Sequence, residues 1–220
     1  ERLRILASSG GHIIFPDIES LWLWESKRKM HYWLASHHIP HPKTWIFYNR
    51  KFALEFAEAS TLPIIFKSDM GSGASGVMIF RRRSDLKKHI NRCFRSGFTT
   101  YRRSPKDREW GSVLFQEYIS DATEWRILKL GESYFGHQKL KAGDFHSGSG
   151  QVGWIDPPRK LLDFVRGIVT GPGFQSIDFD IFETPDGRYL VNEMQAFFGS
   201  YLPYQMRVDN KPGRYLWDDL

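Results

Sequence analysis

Cysteine is nearly absent from this 220-residue chain, and Cys93 stands alone. One thiol cannot close an intrachain disulfide, so the fold is no disulfide scaffold, and the composition suits a reducing, cytoplasmic compartment. No apolar run approaches the roughly twenty residues needed to span a bilayer, so no membrane-spanning helix is expected. The chain opens Glu-Arg-Leu-Arg, with neither an initiator Met nor the pattern of a secretion signal, and it reads as an excised or processed piece. Internal repeats and low-complexity tracts are also lacking. What is present is a globular composition, 41% hydrophobic and 15% aromatic, long enough for one sizeable core or two smaller subdomains. Net charge is +6, with basic clusters at Arg81-Arg82-Arg83 and Tyr101-Arg102-Arg103. These fall on turns rather than along one helix face, so an anionic substrate or plain solvated surface is a better reading than a nucleic-acid footprint.

The apolar periodicity predicts a helix over 18–38, with Leu21, Trp22, Met30, Trp33 and Leu34 on its buried side. Pro40 and Pro42 then force an extended turn. A strand is expected over Thr44–Tyr48, a helix over 51–60, and a helix over 85–96 capped by Ser84 with Asp85 in its first turn. Residues 98–111 read as a mobile polar loop, and Val113–Tyr118 as a strand. Trp125–Leu130 and Tyr134–Leu140 form a hairpin about Gly131-Glu132, setting Glu124 opposite Lys139 and on the same face as Arg126. The glycine- and serine-rich stretch 144–153 reads as a loop that closes over a ligand, and 157–170 as a helix.

Two features carry chemistry. Lys67-Ser68-Asp69-Met70-Gly71-Ser72-Gly73-Ala74-Ser75-Gly76 joins two short apolar strands, 63–67 and 77–80. A dinucleotide-binding loop needs a helix after its glycines, and here a strand follows. A P-loop needs Lys-Ser or Lys-Thr after the last glycine, where Val77-Met78 stands. The His-Arg-Asp and Asp-Phe-Gly signatures of protein kinases do not occur. The remaining reading is a phosphate-covering hairpin loop with Lys67 at the end of its incoming strand. The second feature is a hairpin about Pro185-Asp186-Gly187. A turn centred between Asp186 and Gly187 places Asp180 opposite Glu193 and Asp178 opposite Gln195, all four on one face. Such a cluster suits Mg²⁺, a hard cation that takes one or two carboxylates plus nucleotide phosphates. The alternative is an acidic face dissolved in water.

Together the loop, its lysine and the acidic hairpin resemble the ATP-grasp superfamily, including its D-alanine–D-alanine ligase and ribosomal-protein glutamate ligase branches. Further segments carry the likeness over about residues 24 to 200. Glu25-Ser26-Lys27 with His38-Ile39-Pro40-His41-Pro42-Lys43-Thr44 is similar to the entry segment. Gln116-Glu117-Tyr118-Ile119 resembles the adenine hinge, and Glu124-Trp125-Arg126-Ile127 the strand that follows it. Lys139 with Lys141-Ala142-Gly143-Asp144-Phe145 resembles the basic strand and Gly-Asp-Phe loop. Three positions depart from the pattern. Glu193-Met194-Gln195 replaces Glu-x-Asn, Ser68 stands where proline is common, and Asp178 stands where related ligases often carry arginine.

The resemblance implies an α+β ATP-grasp fold of two subdomains gripping ATP between them, with most of the leading α/β domain missing. Its boundaries fall at 1–42 for the entry segment, 43–115 for the small subdomain and 116–220 for the large one. It implies an ATP-dependent ligase joining a carboxylate to an amine or other nucleophile through an acyl phosphate. A nucleotide-binding module without ligase activity, or a kinase of a small anionic metabolite, remains open beside it. Lys27 and Lys67 would meet the α- and β-phosphates; Gly71, Ser72, Gly73, Ser75 and Gly76 would cover them with backbone amides. Lys27 has the alternative of a solvated helix lysine. Gln116, Glu117, Tyr118 and Ile119 would meet adenine, and Glu124 the ribose, unless it is simply paired with Lys139 or Arg126. Lys139 or Lys141 would reach the γ-phosphate, and Arg126 an anionic substrate or the acyl phosphate. Asp180 and Glu193, with Gln195 and Asp178 beside them, would bind one or two Mg²⁺ ions, or Mn²⁺. His146 is the histidine to watch, the tail after residue 199 is expected to shape the acceptor pocket, and a homodimer is allowed.

Overall fold

The computed structural model describes residues 2–71, 73–100, 108–144, 146, 150–153, 155–171, 173–199, 207–209 and 211–217. The chain begins with α1 (Arg2–Ser8), α2 (Ile18–Leu23), α3 (Lys27–Ser36), β1 (Thr44–Phe47), α4 (Arg50–Ala59), β2 (Ile64–Lys67), β3 (Val77–Phe80) and α5 (Arg83–Arg95). Then come β4 (Val113–Glu117), β5 (Thr123–Leu130), β6 (Ser133–Lys139), β7 (Val152–Gly153) and α6 (Arg159–Thr170). The last elements are β8 (Ser176–Glu183), β9 (Tyr189–Gln195), β10 (Arg207–Val208) and β11 (Lys211–Pro212). No helix among the described residues is long and apolar enough to cross a membrane. Two compact units result: Glu25–Ser36 with Pro42–Ser120, and Glu1–Trp24 with His37–His41 and Asp121–Leu220.

The first unit is built on a four-stranded sheet in the order β1-β4-β2-β3, every neighbouring pair antiparallel. Helix α4 starts where Asn49 Oδ1 accepts from the Lys51 and Phe52 amides at 2.8 and 3.5 Å. Ala53 and Ala57 lie one turn apart on α4 and are fully buried, and such small side chains let α4 and α5 approach closely. Leu86 and Ile90 of α5, Phe66 of β2 and Phe115 of β4 complete the core. Helix α5 begins at Arg83 rather than after Ser84. Arg82 is its cap residue and makes no side-chain cap bond. The chain enters the helix directly from β3, and Arg82 Nε meets Asp85 Oδ2 at 2.7 Å instead.

His89 of α5 is 6% exposed, with its ring among Phe66, Phe80 and Phe98 and its Nε2 3.4 Å from Cys93 Sγ. Burial first, then Arg92, lowers the imidazole to about 4, and burial pushes the Cys93 thiol up to about 12. The unfolded chain takes up this proton below its ordinary value near 6.5, whereas the folded chain resists until about 4. Stability is therefore complete above pH 6.5 and is lost progressively between pH 6.5 and 4. Urea unfolding of the wild type at pH 7 and pH 5 should differ by about 2 kcal/mol from this group. His89→Leu should remove that part of the difference.

The helix expected over 18–38 is two helices. The chain breaks at Trp24–Ser26, where Glu25 has φ 55°. Helix α3 restarts because the Lys27 and Arg28 amides find acceptors on Asp69, both at 2.9 Å. The two pieces also fall in different units.

The second unit carries a five-stranded antiparallel sheet in the order β7-β6-β5-β8-β9. Alternation sorts its residues. One face presents Trp125, Ile127, Ile177, Phe179, Ile181 and Met194, all buried, and the other presents the charged residues described below. Helix α6 buries Leu161, Leu162, Val165, Ile168 and Val169, an apolar stripe at helical spacing. Part of the stretch expected to be a closing loop is strand β7, paired with Gln138 and Lys139. Residues 145, 147–149 and 154 lie outside the described residues, as does 101–107 with its basic cluster. Residues 200–206 of the tail do too, while Tyr215 exchanges both backbone hydrogen bonds with Tyr134 at 2.9 Å.

Candidate functional site

In the first unit, Lys67 ends β2 with 7% of its surface exposed, opposite Val77 and Leu114. The loop that follows closes on itself through Ser68 N–H donating to Gly76 O at 2.9 Å and Ser68 Oγ donating to Met70 O at 2.8 Å. A proline at 68 could not make the first of these bonds. Gly76 is required by close approach. A Cβ there would stand 1.7 Å from Ser68 Oγ and 2.8 Å from Ser68 Cβ. Gly73 and Ala74 both have positive φ, and Ser72 lies outside the described residues. Lys27 is no solvated helix lysine: it is 6% exposed and its ammonium donates to Gly71 O at 2.7 Å.

At the end of β4, Gln116 Nε2 donates to Thr44 Oγ1 at 3.3 Å, while its Oε1 is buried without a hydrogen-bond partner. Such an orphaned acceptor suits a ligand donor such as an exocyclic amine. Glu117 turns its carboxylate to the Lys43 amide at 2.8 Å, and Tyr118 and Ile119 follow half-buried.

In the second unit, strand register gathers the charged residues. Glu124 faces Lys139, and Arg126 faces His137 on one side and Asp180 on the other. Asp180 stands opposite Glu193 and Asp178 opposite Gln195, as the turn implied, but by another route. Next to the turn, Ile181 pairs with Val191, one residue out of the expected register, and a bulge between Asp180 and Ile181 restores it. The bulge falls at Asn192, whose Nδ2 reaches Glu124 Oε1 at 3.4 Å.

This face is not a solvated one. Asp178 and Asp180 are 2% and 3% exposed. Arg126 grips Asp180 in a fork, Nε to Oδ1 at 2.9 Å and Nη2 to Oδ2 at 3.0 Å, and lies 3.5 Å from Asp178. Lys139 bridges Asp180 at 2.6 Å and Glu124 at 3.0 Å. Burial alone would raise the Asp180 carboxyl, but Lys139 and Arg126 outweigh it and hold it below the usual carboxylate range. Burial dominates at Asp178 and pushes it up to about 8 despite Arg126. Burial works against the charge on Arg126 and Lys139 as well, yet the carboxylates raise both. Glu124 thus has the ion pair with Lys139 that was its alternative reading. His146 Nδ1 lies 3.4 Å from Glu124 Oε2, and burial, Lys141 and Lys139 keep the imidazole below its ordinary value. Lys141 itself is exposed, so of the two lysines only Lys139 joins this network.

The donor set suits a hard divalent cation in kind: two carboxylates, Asp180 and Glu193, and the Gln195 carboxamide, whose Nε2 donates to Glu193 Oε1 at 2.7 Å. Four acidic side chains (Glu124, Asp178, Asp180 and Glu193) and two cations (Arg126 and Lys139) share this face, and burial pushes the Asp178 carboxyl up while the cations hold Asp180 down. No group of three or more His, Cys, Asp or Glu arranged as a metal cluster occurs among the described residues, and Arg126 and Lys139 both donate to Asp180 Oδ2.

Three residues that sequence reasoning passed over shape these sites: Asp69, Glu109 and Asn192. Asp69 lies inside the glycine loop, where an acidic residue gave a cue. Glu109 is distant in the chain, and the bulge at Asn192 leaves no mark in an alternating pattern.

Antiparallel sheets with a glycine hairpin loop in one unit and a basic–acidic sheet face in the other define an ATP-grasp fold. The chain is 17% identical to a RimK-domain ATP-grasp protein from Sphaerobacter thermophilus, TM-score 0.65, covering 88% of this chain and 68% of that one. The biotin carboxylase domain of the Hydrogenobacter thermophilus 2-oxoglutarate carboxylase, solved with MgADP and bicarbonate, matches at TM-score 0.67 and 15% identity over 90% of this chain and 45% of that one. Among curated proteins, the α-aminoadipate–LysW ligase LysX of Saccharolobus solfataricus is 25% identical over 199 residues, 87% of this chain and 68% of that protein. No family model matches the chain.

Proposed function

We propose that the chain is an ATP-dependent ligase that activates a carboxylate as an acyl phosphate and passes it to an amine or another nucleophile. The observation that carries this reading is the pairing of Arg126 and Lys139 with the buried Asp180, with Glu193 opposite it in the sheet, in a chain similar to LysX, a ligase by name. A carboxylate oxygen would attack the γ-phosphorus, and the bond to the bridging oxygen of ADP would break. The amine nitrogen would then attack the acyl carbon, phosphate would leave, and the nitrogen would lose a proton. Magnesium, when bound, would supply charge neutralisation for the phosphates.

The chain's own residues would serve each need in place beforehand. Asp180, Glu193 and Gln195 would hold the metal, with Asp178 beside them. Lys139 and Arg126 now neutralise Asp180; a triphosphate and an anionic substrate would offer both cations new partners and leave the Asp180 carboxylate able to hold a metal. Lys67 and the loop amides would hold the phosphates, Gln116 to Ile119 the base, and Glu124, with its ring of donors, the ribose hydroxyls.

Incubation of the chain with ATP, Mg²⁺ and mixed carboxylates and amines tests this. Release of ADP and phosphate that requires both substrates is the expected result. A stable phosphorylated product would make the chain a kinase, and nucleotide binding without turnover would make it a binding module.

A further inference from the structure

We propose that Asp69 and Glu109 are positioning residues that set the shape of the glycine loop before nucleotide arrives, by tying its entry to the N-terminus of α3. The proposal rests on the nucleotide-binding role given to the loop above. Glu109 grips two consecutive amides with one carboxylate: Asp69 N–H donates to Oε2 at 2.8 Å and Met70 N–H to Oε1 at 3.1 Å. Glu109 is itself fixed, because its backbone exchanges hydrogen bonds with Phe98 at 2.7 and 2.9 Å.

Asp69 works in the other direction. Its Oδ1 accepts from Ser26 Oγ and from the Arg28 amide, both at 2.9 Å, and its Oδ2 from Arg28 Nη2 at 2.7 Å. Its carbonyl accepts from the Lys27 amide at 2.9 Å. The carboxylate is thus a helix cap supplied from a distant loop, held against the positive end of α3. Burial would raise the carboxyl, and Arg28 with Ser26 holds it below its ordinary range. Lys27 adds a second tie, its ammonium on the Gly71 carbonyl at 2.7 Å, and Arg28 Nη1 anchors the far side on Ser112 Oγ at 3.0 Å.

Two consequences follow. The amides of Asp69 and Met70 are already spent on a carboxylate, so the amides that meet phosphate are those from Gly71 onward. The glycines that allow close approach to phosphate also leave the loop many conformations, and ties on its entry reduce the ordering that binding would otherwise require.

The test compares Asp69→Ala with Asp69→Asn, which keeps an acceptor for the α3 amide but loses the charge that pairs with Arg28. Glu109→Gln adds a variant from the other anchor. Binding of Mg-ATP by equilibrium dialysis, KM and kcat, and hydrogen exchange of residues 68–80 without nucleotide are the readouts. Asp69→Ala should raise the ATP dissociation constant and KM roughly tenfold, with kcat at saturation changed by about twofold at most. Its loop amides should exchange faster while those of α4 and α5 keep their protection, and Asp69→Asn should recover part of both. Unchanged loop exchange with unchanged affinity would overturn the proposal. Protection lost evenly across α4 and α5 would overturn it as well, since that marks a general fold defect. If the wild type binds no nucleotide, the proposed function falls, while the exchange pattern still decides the anchoring.

Discussion

Asp180→Ala should destabilise the five-stranded unit by about 3 kcal/mol, near the lower end of the range for breaking a buried ion pair. The side chain is 4% exposed and accepts from both Arg126 and Lys139, so its removal leaves two desolvated cations behind. Two neighbours soften the loss. Asp178 lies 3.5 Å from Arg126 Nε and would ionise more readily, and Glu124 keeps Lys139 at 3.0 Å. Urea unfolding followed through the buried Trp125 measures the effect. A change below about 1 kcal/mol would show that these ions behave as a solvated surface pair, and the buried-network account would then fail.

Lys67→Ala and Glu193→Ala should each lower kcat/KM for ATP by about a hundredfold or more, the scale of losing one preorganised charge at a phosphoryl-transfer centre. The two losses differ in kind. Glu193→Ala should move the Mg²⁺ concentration needed for half-maximal turnover upward, because it would remove a proposed metal ligand facing Asp180. Lys67→Ala should leave that requirement alone and raise KM for ATP. Wild-type turnover in either variant would remove that residue from the site.

Much of the molecule was legible because its signals are local. The hairpin about Gly131-Glu132 set Glu124 opposite Lys139 by turn position alone, and the structure has that pairing. The strands around the glycine loop, helices α4 and α6, and the facing of Asp180 and Glu193 were readable in the same way. The route to that last pairing was not, since a bulge corrects a one-residue offset and no alternating pattern reveals it. The break between α2 and α3 was equally hidden, because the acceptor that restarts α3 is Asp69, over forty residues away. Ser84 shows the converse: a good local capping residue was bypassed by the path of the chain leaving β3.

By itself the sequence determined which residues share a sheet face and where the glycine hairpin lies, since turn chemistry and the two-residue period of a strand act between near neighbours. Only the tertiary structure decided the electrostatic state of that face: whether Asp180 meets water or cations, which way burial shifts the Asp178 carboxyl, and whether Lys27 points to solvent or to the Gly71 carbonyl. Those outcomes depend on burial and on charges brought together from β5, β6 and β8, where a low dielectric makes each carboxylate follow its neighbours rather than its own intrinsic acidity.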